Sequence, residues 1–582
     1  MAEIPRVRKL TILAEDPGVR LGGPSGPLAF AQVEVPAEEL ADGPTGYRVK
    51  VVDFDASANV AYFARAKYET KEGAFVDPFA ATPKDLKSKA SRLAYERRLL
   101  GDPNFHAQNV YAIVMRTLAR FEFALGRRVH WGFDGHQIHI APHAFCDANA
   151  FYSRSDRGLL FGYFRGKSGK IVHTSLSHDI VAHEATHALL DGLRTGFMNP
   201  SGPDVAGFHE GFADVVAMLS AFSLREVIAS ILSANGLRRY KGTSIRVISG
   251  RYLTRDALSK SVILGLADQM GAELQDSRGD ALRRSVMLKP DKKLLSKRDY
   301  LEPHVRGEIF AAAMMRSFLA LWVNRIGQLG TFGKDDYNLD MVVEEGTKVA
   351  DHLLTMAIRA LDYCPAIDMT YGDYLAALLT ADHEVMPDDS RFAYRKTLRQ
   401  TFASFGIETP TDLCETDSGT WKPFAEGEKI TYRNTKYESM LHDREEVFRF
   451  IWENRDALSV DSRAYTKVLS VRPCHRLSYD GFMLRETICE YAQVAKMFGA
   501  ECKSMLGVER PAGMPTTQYF TAHGGGVLIF DQHGQIKYHI AKPLHAPRQS
   551  EILQYLWDEG YLDGESGLLG SFAHLHRLRG QG

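Results

Sequence analysis

The stretch HDIVAHEATHALLDG, residues 178–192, constrains this chain more than any other. It reads as a helix, with Ser177 at the N-cap position, Asp179 in the first turn and apolar residues spaced to bury it. That helix also carries His183, Glu184 and His187. Polar groups without partners inside a protein cost free energy, so a buried helix with two histidines and a glutamate needs a reason. Residues four apart share a helix face, so His183 and His187 can point at one ion. Glu184, about 100° round from His183, reaches a water on that ion but not the ion itself.

A catalytic zinc ion takes three protein ligands and keeps one position for water. The third candidate lies downstream. After the loop RTGFMNPSGPDV a second helix, GFHEGFADVVAMLSAF, is predicted to open at about Gly207. Glu210 then falls in its first turn, 23 residues after His187. Asp214 shares that face and can accept a hydrogen bond from the far nitrogen of a ligand histidine. The bland reading of Glu210 is a first-turn glutamate favoured by the helix dipole. His178 and His209 point away from the metal-facing sides of their helices and read as exposed or capping residues.

The rest of the chain limits what such a site can belong to. A length of 582 residues exceeds one compact core and predicts about two to four domains. Hydrophobic residues at 45% and charged residues at 25% fit a soluble globular protein. Lys+Arg (71) and Asp+Glu (72) nearly cancel, so no global field favours nucleic acid or an anionic membrane. The N-terminus has no signal-peptide pattern, and no apolar run of about 18 residues is visible. Cys146, Cys364, Cys414, Cys474, Cys489 and Cys502 are scattered without a CxxC pair. Neither a disulfide framework nor a cysteine zinc cluster is expected, and the absent export signal suggests the cytoplasm.

Along the chain, residues 1–83 read as a β-rich region. GYRVKVVDFDASANVAYFAR there forms two strands around a turn, and GGPSGP marks a loop. NFHAQNVYAIVMRTLARFEFALG is a helix from Asn104 that stops at Gly126. QIHIAPHAF and GLLFGYF are strands, the second followed by a turn at GKSGK. Helices fill 177–406, broken by polar loops near 272–300 and 327–338. PTDLCETDSGTWKPFAEGE, 409–427, reads as a linker, and 428–582 as a mixed α/β domain with a hairpin at GGGVLIFDQHGQIKYHI. In VRPCHRLSYDGFMLRE, Cys474 and His475 are adjacent; a structural turn is preferred there over a catalytic thiol pair.

Taken together, the motifs of residues 84–408 resemble the thermolysin-like gluzincin metallopeptidases. DIVAHEATHALLD is similar to that family's zinc helix, Asp191 included, and NPSGPDVAGFHEGFAD to its NxSGxxNExxSD segment. DANAFYSRSDRGLLFGYF resembles the family's NAFW segment and the strand after it. DYLEPHVRGEIFAAAMM resembles the segment that bears the family's transition-state histidine. The resemblance implies an α+β, two-lobe catalytic domain with a β-containing upper lobe and a mostly helical lower lobe. It implies a zinc metallopeptidase with His183, His187 and Glu210 as ligands, Glu184 as general base and His304 as oxyanion stabiliser. Asp214, Asp191 and Asp299 would be supporting acids, Asp299 orienting His304. Asn149 and Ala150 would hold the substrate backbone, and Arg306 is a weaker substrate contact that reads equally as a surface arginine. NAF also reads as a plain turn, and His304 as an ordinary helix N-terminal histidine.

Two positions depart from the family pattern. Phe197 stands where the family has a loop tyrosine that helps the transition state, and it has no hydroxyl. Asp179 matches a ligand of the family's calcium pair, but Ala221 stands where an acid is needed, so no calcium is expected. The expected partner is a peptide or protein substrate, with a regulatory partner reached through the N- or C-terminal region. The competing reading is a catalytically weak gluzincin fold acting as a binding or regulatory module.

Overall fold

The computed structural model describes residues 6–17, 28–63, 66–71, 74–166, 169–198, 201–233, 237–270, 285, 287–425, 430–477 and 481–562; the predicted GGPSGP loop lies outside them. An antiparallel pair comes first, β1 (Val7–Leu13) with β2 (Phe30–Pro36). Strand β3 (Val49–Val51), the hairpin β4 (Asp53–Asp55) and β5 (Val60–Tyr62), a short pair β6 (Thr70–Lys71) and β7 (Ala74–Phe75), and helix α1 (Lys89–Leu100) follow. Helix α2 (Pro103–Leu125) begins at Asp102, whose carboxylate accepts from the Asn104 amide, with Pro103 in the first turn. It ends as predicted at Gly126, which is left-handed at φ 67°.

Strands β8 (Ile138–Phe145), β9 (Ala150–Ser153), β10 (Gly158–Arg165) and β11 (Ile171–His173) build a central sheet ordered β11-β10-β8-β3, with β9 paired to β10. β3 runs parallel to β8, so the N-terminal region supplies a strand to this sheet. Its join to α2 is polar as well as apolar. Asn109 accepts from the Leu13 amide and donates to the Ser175 carbonyl, and Gln108 donates to the Thr11 carbonyl.

After this sheet come α3 (His178–Leu193), α4 (Pro203–Phe222), α5 (Arg225–Ser233), α6 (Arg255–Met270), α7 (Pro303–Ile326), α8 (Leu339–Ala360), α9 (Tyr371–Val385) and α10 (Tyr394–Ser404). The predicted all-helical stretch is interrupted by a small sheet, β12 (Arg238–Arg239), β13 (Arg246–Ser249), β14 (Thr331–Phe332) and β15 (Asp336–Asn338). Strands of two to four residues carry too little alternation to register as a pattern. α4 and α7 are long and apolar enough to cross a membrane, by length and composition alone. Both are largely buried in the protein core, packed on each other.

The C-terminal region holds α11 (Tyr437–Met440), α12 (Arg444–Glu453) and the antiparallel sheet β16 (Tyr465–Leu477), β17 (Met483–Phe498), β18 (Tyr519–Phe530) and β19 (Ile536–Lys542) in that order. Helices α13 (Cys502–Leu506) and α14 (Gln549–Asp558) complete it. Its hairpin falls where predicted, with QHGQ at the turn. The described part of the predicted linker is not loose: Trp421 is buried, its amide donating to the Thr380 hydroxyl and its indole to the Tyr363 carbonyl. Cys474 and His475 lie in strand β16, not a turn. Alternation buries the thiol, which donates to the Glu486 carbonyl, and exposes the imidazole; burial pushes the thiol up to about 11.

This sheet is locked to the helices by buried charge. Arg476 is fully buried; it donates to Glu486 at 2.6 Å and also pairs with Asp362, which Arg127 holds at 2.6 and 2.7 Å. Burial alone would raise the Asp362 carboxyl, but Arg127 and Arg476 hold it below the ordinary carboxylate range. The Tyr363 hydroxyl donates to Glu486 at 2.6 Å. Removing Arg476 would take a buried charged partner from both carboxylates, leaving Asp362 with Arg127 and Glu486 with Tyr363 and Lys537. Arg476→Met is therefore expected to destabilise the chain by about 3–5 kcal/mol, read as a fall in the urea midpoint of the whole chain. An unchanged midpoint would show that the cluster does not hold the sheet in place.

Candidate metal centre

Helix α3 carries His183, Glu184 and His187, all buried. Ser177 stands at its N-cap position as expected, but its side chain makes no capping bond. At the other end, Arg472 of β16 donates to the Leu193 carbonyl at 2.8 Å, satisfying an acceptor that the helix leaves unpaired. The C-terminal sheet thus caps the helix that bears the histidines.

Helix α4 opens at Pro203, four residues before the predicted start. Glu210 therefore sits mid-helix and only 3% exposed, which removes the dipole-favoured first-turn reading. A carboxylate buried there needs partners, and the crossing of α4 with α7 supplies one. A Cβ on Gly211 would stand 2.7 Å from the Gly307 carbonyl oxygen, and one on Gly307 would stand 2.8 Å from the Gly211 amide nitrogen. Only glycines allow that approach, which brings His304, at the start of α7, to Glu210.

The side chains meet as a tight group. His183 Nε2 and His187 Nε2 lie 2.9 Å apart, and Glu210 Oε2 lies 3.5 and 3.8 Å from them. Donors 2.0–2.1 Å from one tetrahedral zinc ion stand about 3.4 Å from each other, so the residues fit such an ion. Each histidine is oriented from behind. His183 Nδ1 donates to Asp214 at 2.9 Å, as expected, and His187 Nδ1 meets His209 Nδ1 at 2.8 Å. His304 Nε2 lies 3.5 Å from Glu210 Oε2. Glu184 is fully buried and its Oε2 accepts from the Tyr152 amide at 2.9 Å.

Several expected roles change. His209 is buried, not exposed or capping, and supports His187; its place directly before Glu210 was the available signal. His178 is also buried, and burial lowers its imidazole below the ordinary value. Asp299 is exposed, and the carboxylate on His304 Nδ1 is Glu302, at 2.7 Å. Glu302 caps α7, accepting from the Val305 amide, so its side chain turns back over the first turn where His304 stands. Acid, proline, histidine in a row was the cue.

Arg306 is neither a surface residue nor available to a substrate. It is buried, with Nε on Asp204 at 2.6 Å and Nη1 on the Leu295 and Tyr300 carbonyls. Asp191 accepts from the Tyr152 hydroxyl at 2.8 Å and lies 3.4 Å from Arg154, joining α3 to strand β9. Ala150 opens β9, and Asn149 accepts from the Ala150 amide through its side chain. Phe197 is fully buried against Phe208 and serves as core.

His209→Ala removes the group behind His187 while leaving the three ligands. It is expected to weaken zinc binding about 10–100-fold, measured by competition with a chromogenic chelator. An unchanged affinity would show that His209 does not orient His187.

No model of a known protein family matches the sequence, and no curated protein matches it, so the identity of this centre rests on its own geometry.

Proposed function

We propose that the chain is a zinc-dependent metallopeptidase with a thermolysin-like two-lobe arrangement, the central sheet over the helices α3, α4 and α7. The observation that carries this reading is the convergence of His183, His187 and Glu210 beside a buried Glu184, with His304 facing from a third helix. Three ligands with an acid alongside suit a catalytic centre, since structural zinc is usually closed by four protein ligands. A zinc ion held there supplies Lewis-acid polarisation of a water and of the scissile carbonyl.

The chain's own residues do the rest. Strand β9 pairs with β10 on one side, and among the described residues no strand pairs with its other edge. An extended substrate peptide adds along that edge, near Asn149 and Ala150. Glu184, steadied by the Tyr152 amide, takes the proton of the attacking water and passes it to the leaving nitrogen. His304, its ring fixed by Glu302, presents Nε2 to the developing oxyanion. With Phe197 in the core, no hydroxyl reaches the cleft from that position, and this oxyanion contact falls to His304.

Glu184→Gln is expected to retain zinc and lose about 10²–10⁴-fold in turnover of a quenched-peptide library. His304→Ala should lower turnover about 10²–10³-fold with metal affinity nearly unchanged. A Glu184→Gln protein as active as the wild type would exclude this chemistry. Equal loss of metal and activity in His304→Ala would remove its assigned role.

A further inference from the structure

A second group of histidines lies outside this centre. His106 is in the first turn of α2, His143 in β8 and His173 at the end of β11. Their ring centroids are 4.8–5.1 Å apart in all three pairs. One ring nitrogen from each lies within 4.8 Å of the others. His106 Nδ1 and His143 Nε2 are only 2.8 Å apart.

The surroundings fix which nitrogens carry protons. His106 Nε2 lies 2.9 Å from the Leu100 carbonyl, which can only accept, so Nε2 bears the hydrogen. His143 Nδ1 lies 2.7 Å from an oxygen of Asp53, which accepts in the same way. In neutral rings the two nitrogens that face each other therefore both present lone pairs. Two acceptors at hydrogen-bond distance repel, and a cation between them removes the repulsion. His183 and His187 show the same arrangement: two Nε2 atoms 2.9 Å apart, with Asp214 on the far nitrogen of His183. Nδ1 of His173 is buried and has no hydrogen-bond partner among the described residues.

We propose that His106, His143 and His173 form a second metal centre that takes a divalent transition ion such as Zn2+. The donor set selects the ion class. Imidazoles suit zinc and its neighbours, whereas calcium and magnesium ask for oxygen ligands. Asp53 behind His143 is the carboxylate–histidine support that such centres use. The ion would tie α2 and β8 to β11, the strand that leads through residues 174–176 into α3. It thereby fixes the central sheet over the first centre without joining its chemistry.

Zinc content of the full chain, loaded, desalted and measured by mass spectrometry, tests this. About two ions per chain are expected in the wild type, and about one each in His106→Ala/His173→Ala and in His183→Ala/His187→Ala. A folded His106→Ala/His173→Ala protein that keeps wild-type zinc overturns the second centre. Wild-type content in His183→Ala/His187→Ala overturns the first centre instead, so the two failures are distinguishable. Zinc-edge anomalous diffraction from wild-type crystals needs no variant. A peak among the three rings is expected, and none there in a zinc-soaked crystal overturns the proposal.

Discussion

A carboxylate in the middle of an apolar helix has to find its partners where it stands, and Glu210 sets that condition for the whole helical layer. It is 3% exposed on α4, with His183 and His187 of α3 and His304 of α7 around its Oε2. Three helices must therefore meet at one point, closer than ordinary side chains permit. Gly211 and Gly307 make the α4–α7 crossing possible, and the burial of both long helices follows from it. Asp204, near the start of α4, holds Arg306 of α7 and so fixes the register of the crossing. The arginine that looked available to a substrate is spent on positioning the helix that bears His304.

The flanking regions obey the same constraint. A helix carrying two histidines inside a core can be displaced only at the cost of its polar contacts, and the C-terminal region braces it. Arg472 caps α3 at Leu193, and Arg194, directly after the helix, pairs with Glu490 of β17 at 3.1 Å. His475 donates its amide to the Gly126 carbonyl, joining β16 to the end of α2 at a glycine whose Cβ would collide with the His475 backbone. The C-terminal sheet is thus part of the wall behind the helix that bears His183 and His187.

What was legible in the sequence was whatever is encoded locally. The HExxH helix, the α2 boundary at Gly126, the strands around GLLFGYF and the C-terminal hairpin each follow from periodicity or turn chemistry. Glu210 and Asp214 were legible because one helical face carries both. The pairing of β3 with β8 and the burial of Trp421 were not, because they are long-range events with no local mark. The supporting groups carry local cues instead: Glu302, rather than Asp299, reaches His304 because a cap side chain folds back over the first turn, and His209, directly before Glu210, reaches His187.

Helix α2 shows why the polar residues inside such a core belong to the design of the site. Apolar packing constrains a buried helix only loosely along its axis, since one methyl-lined groove resembles the next turn's. Gln108 and Asn109 remove that freedom, because each of their bonds is satisfied at one register only. Gln108 grips β1 at Thr11, and Asn109 holds both Leu13 and the Ser175 carbonyl, three residues before α3 begins. His106 faces His143 of the sheet and, through it, Asp53. These positions thus register the N-terminal pair, the central sheet and the segment leading into the helix that bears His183 and His187 against a single axis. A slip of one residue along that axis would leave each of these groups buried without its partner. Strand β9, paired to β10 of that sheet, brings the Tyr152 amide within reach of the Glu184 carboxylate.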